Sequence, residues 1–268
     1  HNSNLSNGLM FELTGPDGGP MTAEYARKRA KHEPIVEATQ IKGDSETHPL
    51  LSPQDSFADF ERWDRYNIMN TAKTTPEMLP GSYVRSALQR GLQFKRSIGV
   101  NPYKFGMIGS TDSHSAAPGS AEEENYVGHL GRRDAEYNNV QDHFASNPGG
   151  HAVVWAQENS RDSLFSAIRR KETYATSGTR PILRFFAGDL ASDLCESPDM
   201  LTQAYKQGVP MGGELFRAAK APRFLVSAQK DSGTKRAPGT DLQRVQIIKG
   251  WVDATGATQE KVFDIAGD

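Results

Sequence analysis

The stretch Phe105-Gly-Met-Ile-Gly-Ser-Thr-Asp-Ser-His-Ser115 joins a short apolar run to a cluster of polar residues. Residues 105–108 predict a buried strand that ends at Gly109. Asp112 and His114 follow two residues apart, and in extended backbone such side chains point to the same side. A carboxylate and an imidazole that converge suit a divalent metal such as zinc, manganese or iron. The alternative is a turn with an exposed histidine, because Asp, Ser and Gly also favour turns.

A second apolar and β-branched run, at residues 35–41, predicts another strand, with Glu37 inside it and Gly43 after it. Between the two strands, Pro80-Gly81-Ser82 is predicted to cap the start of a helix. The apolar face of this helix is predicted to consist of Val84, Ala87, Leu88, Gly91 and Leu92. Strand, helix and strand in this order predict a parallel α/β arrangement.

The remaining patterns divide the chain into an α/β part at 1–180 and a β-rich C-terminal element at 181–268. Further helices are predicted at 22–33 and at 160–170, the latter capped by Ser160 with Leu164, Phe165 and Ile168 on its apolar side. Residues 173–178 predict a short strand or turn. Residues 116–150 are rich in Pro, Gly, Glu and Asn and predict a long loop, either a functional lid or a disordered segment. Beyond Pro181 the period becomes two, which predicts strands at 181–187, 223–229, 243–252 and 261–265, with a hairpin turn at 253–256.

Composition limits the classes of function. The 268 residues include 31 basic and 33 acidic side chains, for a net charge of −2, so no nucleic-acid partner is expected. The single cysteine, Cys195, excludes an internal disulfide and a cysteine-rich metal site. No apolar run approaches the roughly 18 residues that a membrane span requires. The first residue is His1 rather than Met, from which we expect the chain to be part of a longer polypeptide.

Four segments together resemble a known family. They are His1-Asn-Ser-Asn4, Val36-Glu-Ala-Thr-Gln-Ile-Lys-Gly-Asp-Ser-Glu-Thr-His48, Gly109-Ser-Thr-Asp-Ser-His-Ser115 and Arg170-Lys-Glu-Thr-Tyr-Ala-Thr-Ser-Gly-Thr-Arg180. They resemble the DUF3604 family, related to the PHP (polymerase and histidinol phosphatase) metal-dependent phosphoesterases. The resemblance implies the C-terminal portion of a PHP-like distorted (β/α) barrel, followed by an antiparallel β-rich element. It also implies two or three divalent metal ions (Zn, Mn or Fe) at the C-terminal ends of the strands, where barrel enzymes keep their chemistry.

The resemblance assigns roles to individual residues. Asp112 and His114 match the last metal-binding motif of PHP-like enzymes, and His1 matches an earlier histidine ligand. Glu37 is expected to be a partner that orients a ligand or Lys42, although a paired structural carboxylate explains it equally well. Lys42 is expected to contact an anionic oxygen of the substrate, or else to be a solvated surface lysine.

Several polar side chains are candidates for hydrogen bonds to the substrate, or alternatively are loop and turn residues: Asn2, Asn4, Gln40 and Ser110. The His-x-His pair that opens the PHP pattern is missing from this chain, so the upstream half of the same protein is expected to complete the site. The other histidines are expected to be surface residues: His32, His48, His129, His143 and His151. Tyr174, Ser177 and Arg180 are expected to link the two parts of the chain.

The resulting expectation is a metal-dependent hydrolase, in the first place a phosphoesterase that uses metal-activated water on a small ester substrate. The alternatives are hydrolysis of carbamate, carboxylate or sulfate esters on the same metal cluster, and a non-catalytic binding or structural module. The 268-residue piece alone is expected to be inactive. Export to the periplasm of a bacterium is a further possibility that rests on the family resemblance alone.

Overall fold

A parallel strand–helix–strand unit organises the first part of the chain, as the sequence predicts. The computed structural model describes residues 2–116, 149–216 and 220–267, so most of the predicted loop at 116–150 lies outside the described residues. Strand β1 (Ile35–Gln40) pairs in parallel with β3 (Gly106–Gly109), and helix α2 (Val84–Ile98) connects them. A two-residue strand, β2 (Gly43–Asp44), folds back antiparallel onto the end of β1.

Helix α2 packs one face on this sheet. The core between them contains Phe11, Val36, Val84, Ala87 and Tyr103. The predicted apolar face of α2 is wrong in one position, because Leu92 at its edge is 38% exposed. The expected cap at residues 80–82 is also wrong. A 3-10 helix (Pro76–Gly81) occupies this segment, and the Ser82 hydroxyl accepts a hydrogen bond from the Gly8 amide (2.7 Å) instead of capping α2.

Two shorter helices and a hairpin surround the sheet. Helix α1 (Ala23–His32) lies within the predicted range 22–33 and is capped by Thr22, and α3 (Arg161–Arg170) is capped by Ser160 as predicted. Phe165 was predicted to face inward but is 64% exposed, and the small Ala167 is the buried residue of α3. Strands β4 (His151–Val154) and β5 (Thr173–Thr176) pair antiparallel, and α3 lies between them in the chain.

The C-terminal part is rich in antiparallel strands, as predicted. Strands β6 (Ile182–Gly188), β7 (Gly208–Pro210) and β8 (Arg223–Gln229) form one sheet in the order β7-β6-β8. Strands β9 (Arg244–Val252) and β10 (Thr258–Gly267) form a hairpin beside α2, with its turn at residues 253–256. A 3-10 helix (Leu194–Glu196) and helix α4 (Met200–Gln207) lie between β6 and β7. The sequence prediction missed β2, β4, β7 and α4.

Tyr174 connects the two parts. Its hydroxyl donates to the Pro181 carbonyl (2.7 Å) and accepts from the Leu183 amide (3.2 Å), which ties β5 to the start of β6 as expected. Across the described ranges the strands form four separate small sheets and do not close into a barrel, so the fold class is mixed α/β. None of the helices within those ranges is long and apolar enough to cross a membrane.

Candidate functional site

The candidate residues collect at the carboxyl edge of the parallel strands. Thr39 of β1 lies opposite Gly109 of β3, and the Ser110 amide donates to the Thr39 carbonyl (3.1 Å). Lys42 and Asp112 each lie three residues beyond this pair, one after each strand. The parallel pairing therefore places a lysine and an aspartate beside one another at the same edge.

Lys42 and Asp112 form an ion pair there. The Lys42 ammonium contacts Asp112 Oδ2, with side chains 18% and 32% exposed. Gln40 contacts the lysine at both ends: its Oε1 accepts from the Lys42 backbone amide (2.9 Å) and lies 3.5 Å from Lys42 Nζ. Burial lowers the pKa of Lys42, and the nearby Glu37 carboxylate opposes this shift. Three of the predicted site residues, 42, 40 and 112, are thus brought together.

The backbone around Asp112 differs from the prediction. Asp112 has a φ of 51°, in the left-handed region, so the residues after β3 are not extended and the i, i+2 argument for a shared side is wrong. His114 is exposed, and its Nδ1 lies 2.7 Å from the backbone carbonyl of Asp112. The His114 imidazole therefore lies next to Asp112, but it contacts the backbone carbonyl of that residue. The prediction had the two side chains pointing to the same side.

Glu37 and Ser110 meet on the neighbouring part of the edge. The Ser110 hydroxyl donates to Glu37 Oε1. The Glu37 side chain thus reaches the first residue after β3, two residues before Asp112. This contact is compatible with either predicted role for Glu37, namely orientation of the site or a structural pair.

The segment that follows His1 is anchored to the same edge by Asn4. The Asn4 side chain is fully buried, and its Oδ1 accepts from Asn2 Nδ2 (2.7 Å) and from the Ser45 hydroxyl (3.0 Å). Its Nδ2 donates to the backbone carbonyls of Lys42 (3.1 Å) and Trp63 (2.8 Å). All four hydrogen-bonding positions of this amide are therefore used. His1 itself lies outside the described residues.

Two histidines that were predicted to lie at the surface do not. His48 is 4% exposed; its Nε2 lies 2.7 Å from Asp64 Oδ2, and its Nδ1 accepts from the Leu50 amide (3.0 Å). Both ring nitrogens are thus engaged in holding the loop after β2. His151 begins strand β4 and is half-buried, and its backbone lies against Gly109. His32 is exposed, as expected, whereas His129 and His143 fall outside the described residues.

Asp44 is a carboxylate that the sequence prediction missed. Burial raises its pKa to about 8, and the neighbouring Glu46 carboxylate adds to the shift. Arg85 forms ion pairs with Glu46 (2.6 Å) and Asp55 (2.6 Å), whereas no described residue forms an ion pair with Asp44. A cleft of about 740 Å³ opens at Asp44. Its lining includes Thr39, Tyr174, Thr176, Leu183 and Phe185.

The cleft reaches the strand edge at Thr39, but Lys42, Asp112 and His114 are not among the described residues that line it. Within residues 2–116, 149–216 and 220–267, no three His, Cys, Asp or Glu side chains come together in a group that could hold a metal ion. The edge thus supplies two potential donors, Asp112 and His114, and one cation, Lys42.

Comparison with known proteins gives one result. No curated protein and no solved structure matches the chain. A family model described as "Protein of unknown function (DUF3604)" matches residues 1–268, that is, the whole chain. The chain therefore belongs to the DUF3604 family.

Proposed function

We propose that the full-length protein is a metal-dependent hydrolase, most specifically a phosphoesterase, and that this chain is the later part of a PHP-like distorted barrel. The observation that carries the proposal is the meeting of Lys42 and Asp112 at the carboxyl edge of β1 and β3, with His114 beside them. Ligand sites in α/β folds gather at this edge. The relation to PHP enzymes rests on the motifs alone.

The donor set at this edge fits a divalent cation. The Asp112 carboxylate already faces one positive charge, the Lys42 ammonium, so it is oriented toward a cation. An imidazole and a carboxylate together suit zinc, manganese or iron better than magnesium or calcium. Asp112 and His114 would hold the metal, with His1 and residues upstream of this chain completing a cluster of two or three ions.

A bound divalent metal would supply Lewis acidity, lowering the pKa of a water molecule and neutralising charge on the ester oxygens. The chain's own residues would bind and orient the substrate. Lys42 presents an ammonium that suits an anionic phosphate oxygen, and Gln40 fixes the backbone from which it projects. Asn2 is a candidate donor of a further hydrogen bond, whereas Ser110, whose proton goes to Glu37, could only accept one from a substrate hydroxyl. Glu37 would hold the Ser110 hydroxyl in place.

A substrate panel tests the proposal. Full-length protein loaded with manganese or zinc is expected to hydrolyse a phosphomonoester or phosphodiester, and Asp112→Ala is expected to abolish this turnover. Asp241→Ala is the matched control, since Asp241 also pairs with a lysine, Lys230 (2.5 Å), but at an exposed position elsewhere. Turnover of an aryl carbamate, a carboxylate ester or a sulfate ester alone would overturn the phosphoesterase assignment and leave the hydrolase. No turnover together with no bound metal would favour a binding or structural module.

A further inference from the structure

Lys42 connects the two segments that carry the candidate metal ligands. Its backbone carbonyl accepts from the buried Asn4 amide, in the segment that follows His1. Its side chain reaches across to Asp112, in the loop after β3. Because Gln40 fixes the Lys42 backbone amide and Asn4 fixes its carbonyl, the start of the side chain is held at this spot while the ammonium at its far end can move.

The ammonium and a divalent metal would compete for the same carboxylate. Asp112 Oδ2 accepts from Lys42 Nζ, and this pair is only partly exposed, so solvent screens it less than a surface pair. A metal ion at Asp112 would face a positive charge at close range, which costs free energy unless the lysine moves away. The four-carbon stem of lysine has the rotational freedom for such a move.

We infer that Lys42 is a positioning residue with two sequential contacts. It occupies Asp112 in the metal-free protein, and metal binding releases its ammonium toward the anionic oxygen of the substrate. The inference rests on the proposed function and adds to it a coupling between metal loading and formation of the anion-binding contact. It explains why a lysine lies directly on a carboxylate that the family motif assigns to a metal.

Metal affinity tests this directly. Manganese binding to the metal-free full-length protein is measured by calorimetry for wild type, Lys42→Met, Lys42→Arg and Lys104→Met. We expect Lys42→Met to tighten binding by about fivefold, because the metal no longer has to displace an ion pair worth about 1 kcal/mol. Lys42→Arg keeps the charge and is expected to retain wild-type affinity. Lys104→Met, which removes a different paired lysine (Lys104–Glu214, 2.6 Å), is also expected to change nothing.

A second measurement uses the wild-type protein, so it does not depend on the folding of a variant. Acylation of individual lysines, followed by mass spectrometry, reports the accessibility of each ammonium. Manganese is expected to increase labelling of Lys42 and to leave Lys104 unchanged. Unchanged Lys42 labelling, or unchanged affinity in Lys42→Met, would overturn the inference. The proposed function would still stand if metal binding depends on Asp112. An Asp112→Ala variant is measured beside them, and no manganese binding in the wild type, or binding that Asp112→Ala leaves unchanged, would overturn both.

Discussion

Replacement of Asn4 by Asp is expected to destabilise the protein strongly, although it changes a single NH₂ group to an oxygen. In the wild type, Asn4 Nδ2 donates to the carbonyls of Lys42 and Trp63 in two partly buried hydrogen bonds. An aspartate would turn an acceptor oxygen toward both carbonyls. A buried carbonyl that loses its donor costs about 1–3 kcal/mol, so we expect the loss of both partly buried bonds to cost at least about 2 kcal/mol. The burial of a carboxylate adds to the cost.

A matched control exists three residues further along the chain. The Asn7 side chain also donates to two backbone carbonyls, those of Ala72 (3.3 Å) and Lys73 (3.5 Å), but these bonds are long and exposed to solvent. Water can replace them, so we expect Asn7→Asp to change the free energy of unfolding by no more than about 0.5 kcal/mol. Asn7 has a φ of 49°, which both Asn and Asp tolerate, so the backbone introduces no further difference.

The assay is equilibrium urea denaturation of wild type, Asn4→Asp and Asn7→Asp, with the free energy of unfolding extrapolated to water. A loss of at least about 2 kcal/mol in Asn4→Asp, against little change in Asn7→Asp, is the expected result. Equal free energies of unfolding in the two variants would contradict this prediction. It would mean that the Asn4 amide does not join the His1 segment to the strand edge in the way its four hydrogen bonds indicate.

Two further predictions concern stability. Tyr103 and Tyr83 are both fully buried; the Tyr103 hydroxyl accepts from Arg29 (3.1 Å) and donates to the Glu12 carbonyl (2.8 Å), whereas the Tyr83 hydroxyl has no hydrogen-bond partner among the described residues. Tyr103→Phe should therefore lose about 1–3 kcal/mol of stability and unfold at a lower temperature. Tyr83→Phe should unfold at the wild-type temperature or above it. The pKa of Asp44 rises on folding from 3.8 to about 8, so the folded state binds more protons between these values and wild-type stability should fall as the pH rises through this window. Urea midpoints of Asp44→Asn should lack that component, and a constant difference from wild type between about pH 4 and pH 8 would contradict the assignment.

The elements that the sequence predicted are those with a strong local pattern. The β-branched run of β1, the amphipathic α2 and the Ser160 cap of α3 each carry their signal within a few residues. Helix α4 was missed because no element was assigned between the predicted strands at 181–187 and 223–229. The available signal was the spacing of four residues between Met200 and Ala204 and between Leu201 and Tyr205, which is a helical period.

The site was predictable in composition but not in geometry. Residues 40, 42 and 112 were identified from motifs, and the parallel pairing brings them to one edge. The left-handed backbone of Asp112 and the exposed His114 agree with the turn alternative. The ion pair of Asp112 was not predictable, because its partner is a lysine 70 residues earlier in the chain. The burial of His48 depends in the same way on Asp64, 16 residues away, and no local pattern reports such a partner.

We propose that Asp112 and His114 bind a divalent metal in the full-length protein. The most direct test is elemental analysis of purified protein after loading with zinc or manganese and removal of free metal. We expect the wild type and the Asp241→Ala control to retain metal. The double variant Asp112→Ala, His114→Ala is expected to lose at least about one metal ion per chain while remaining folded. Equal metal content in the wild type and the double variant, or no retained metal in the wild type, would contradict it.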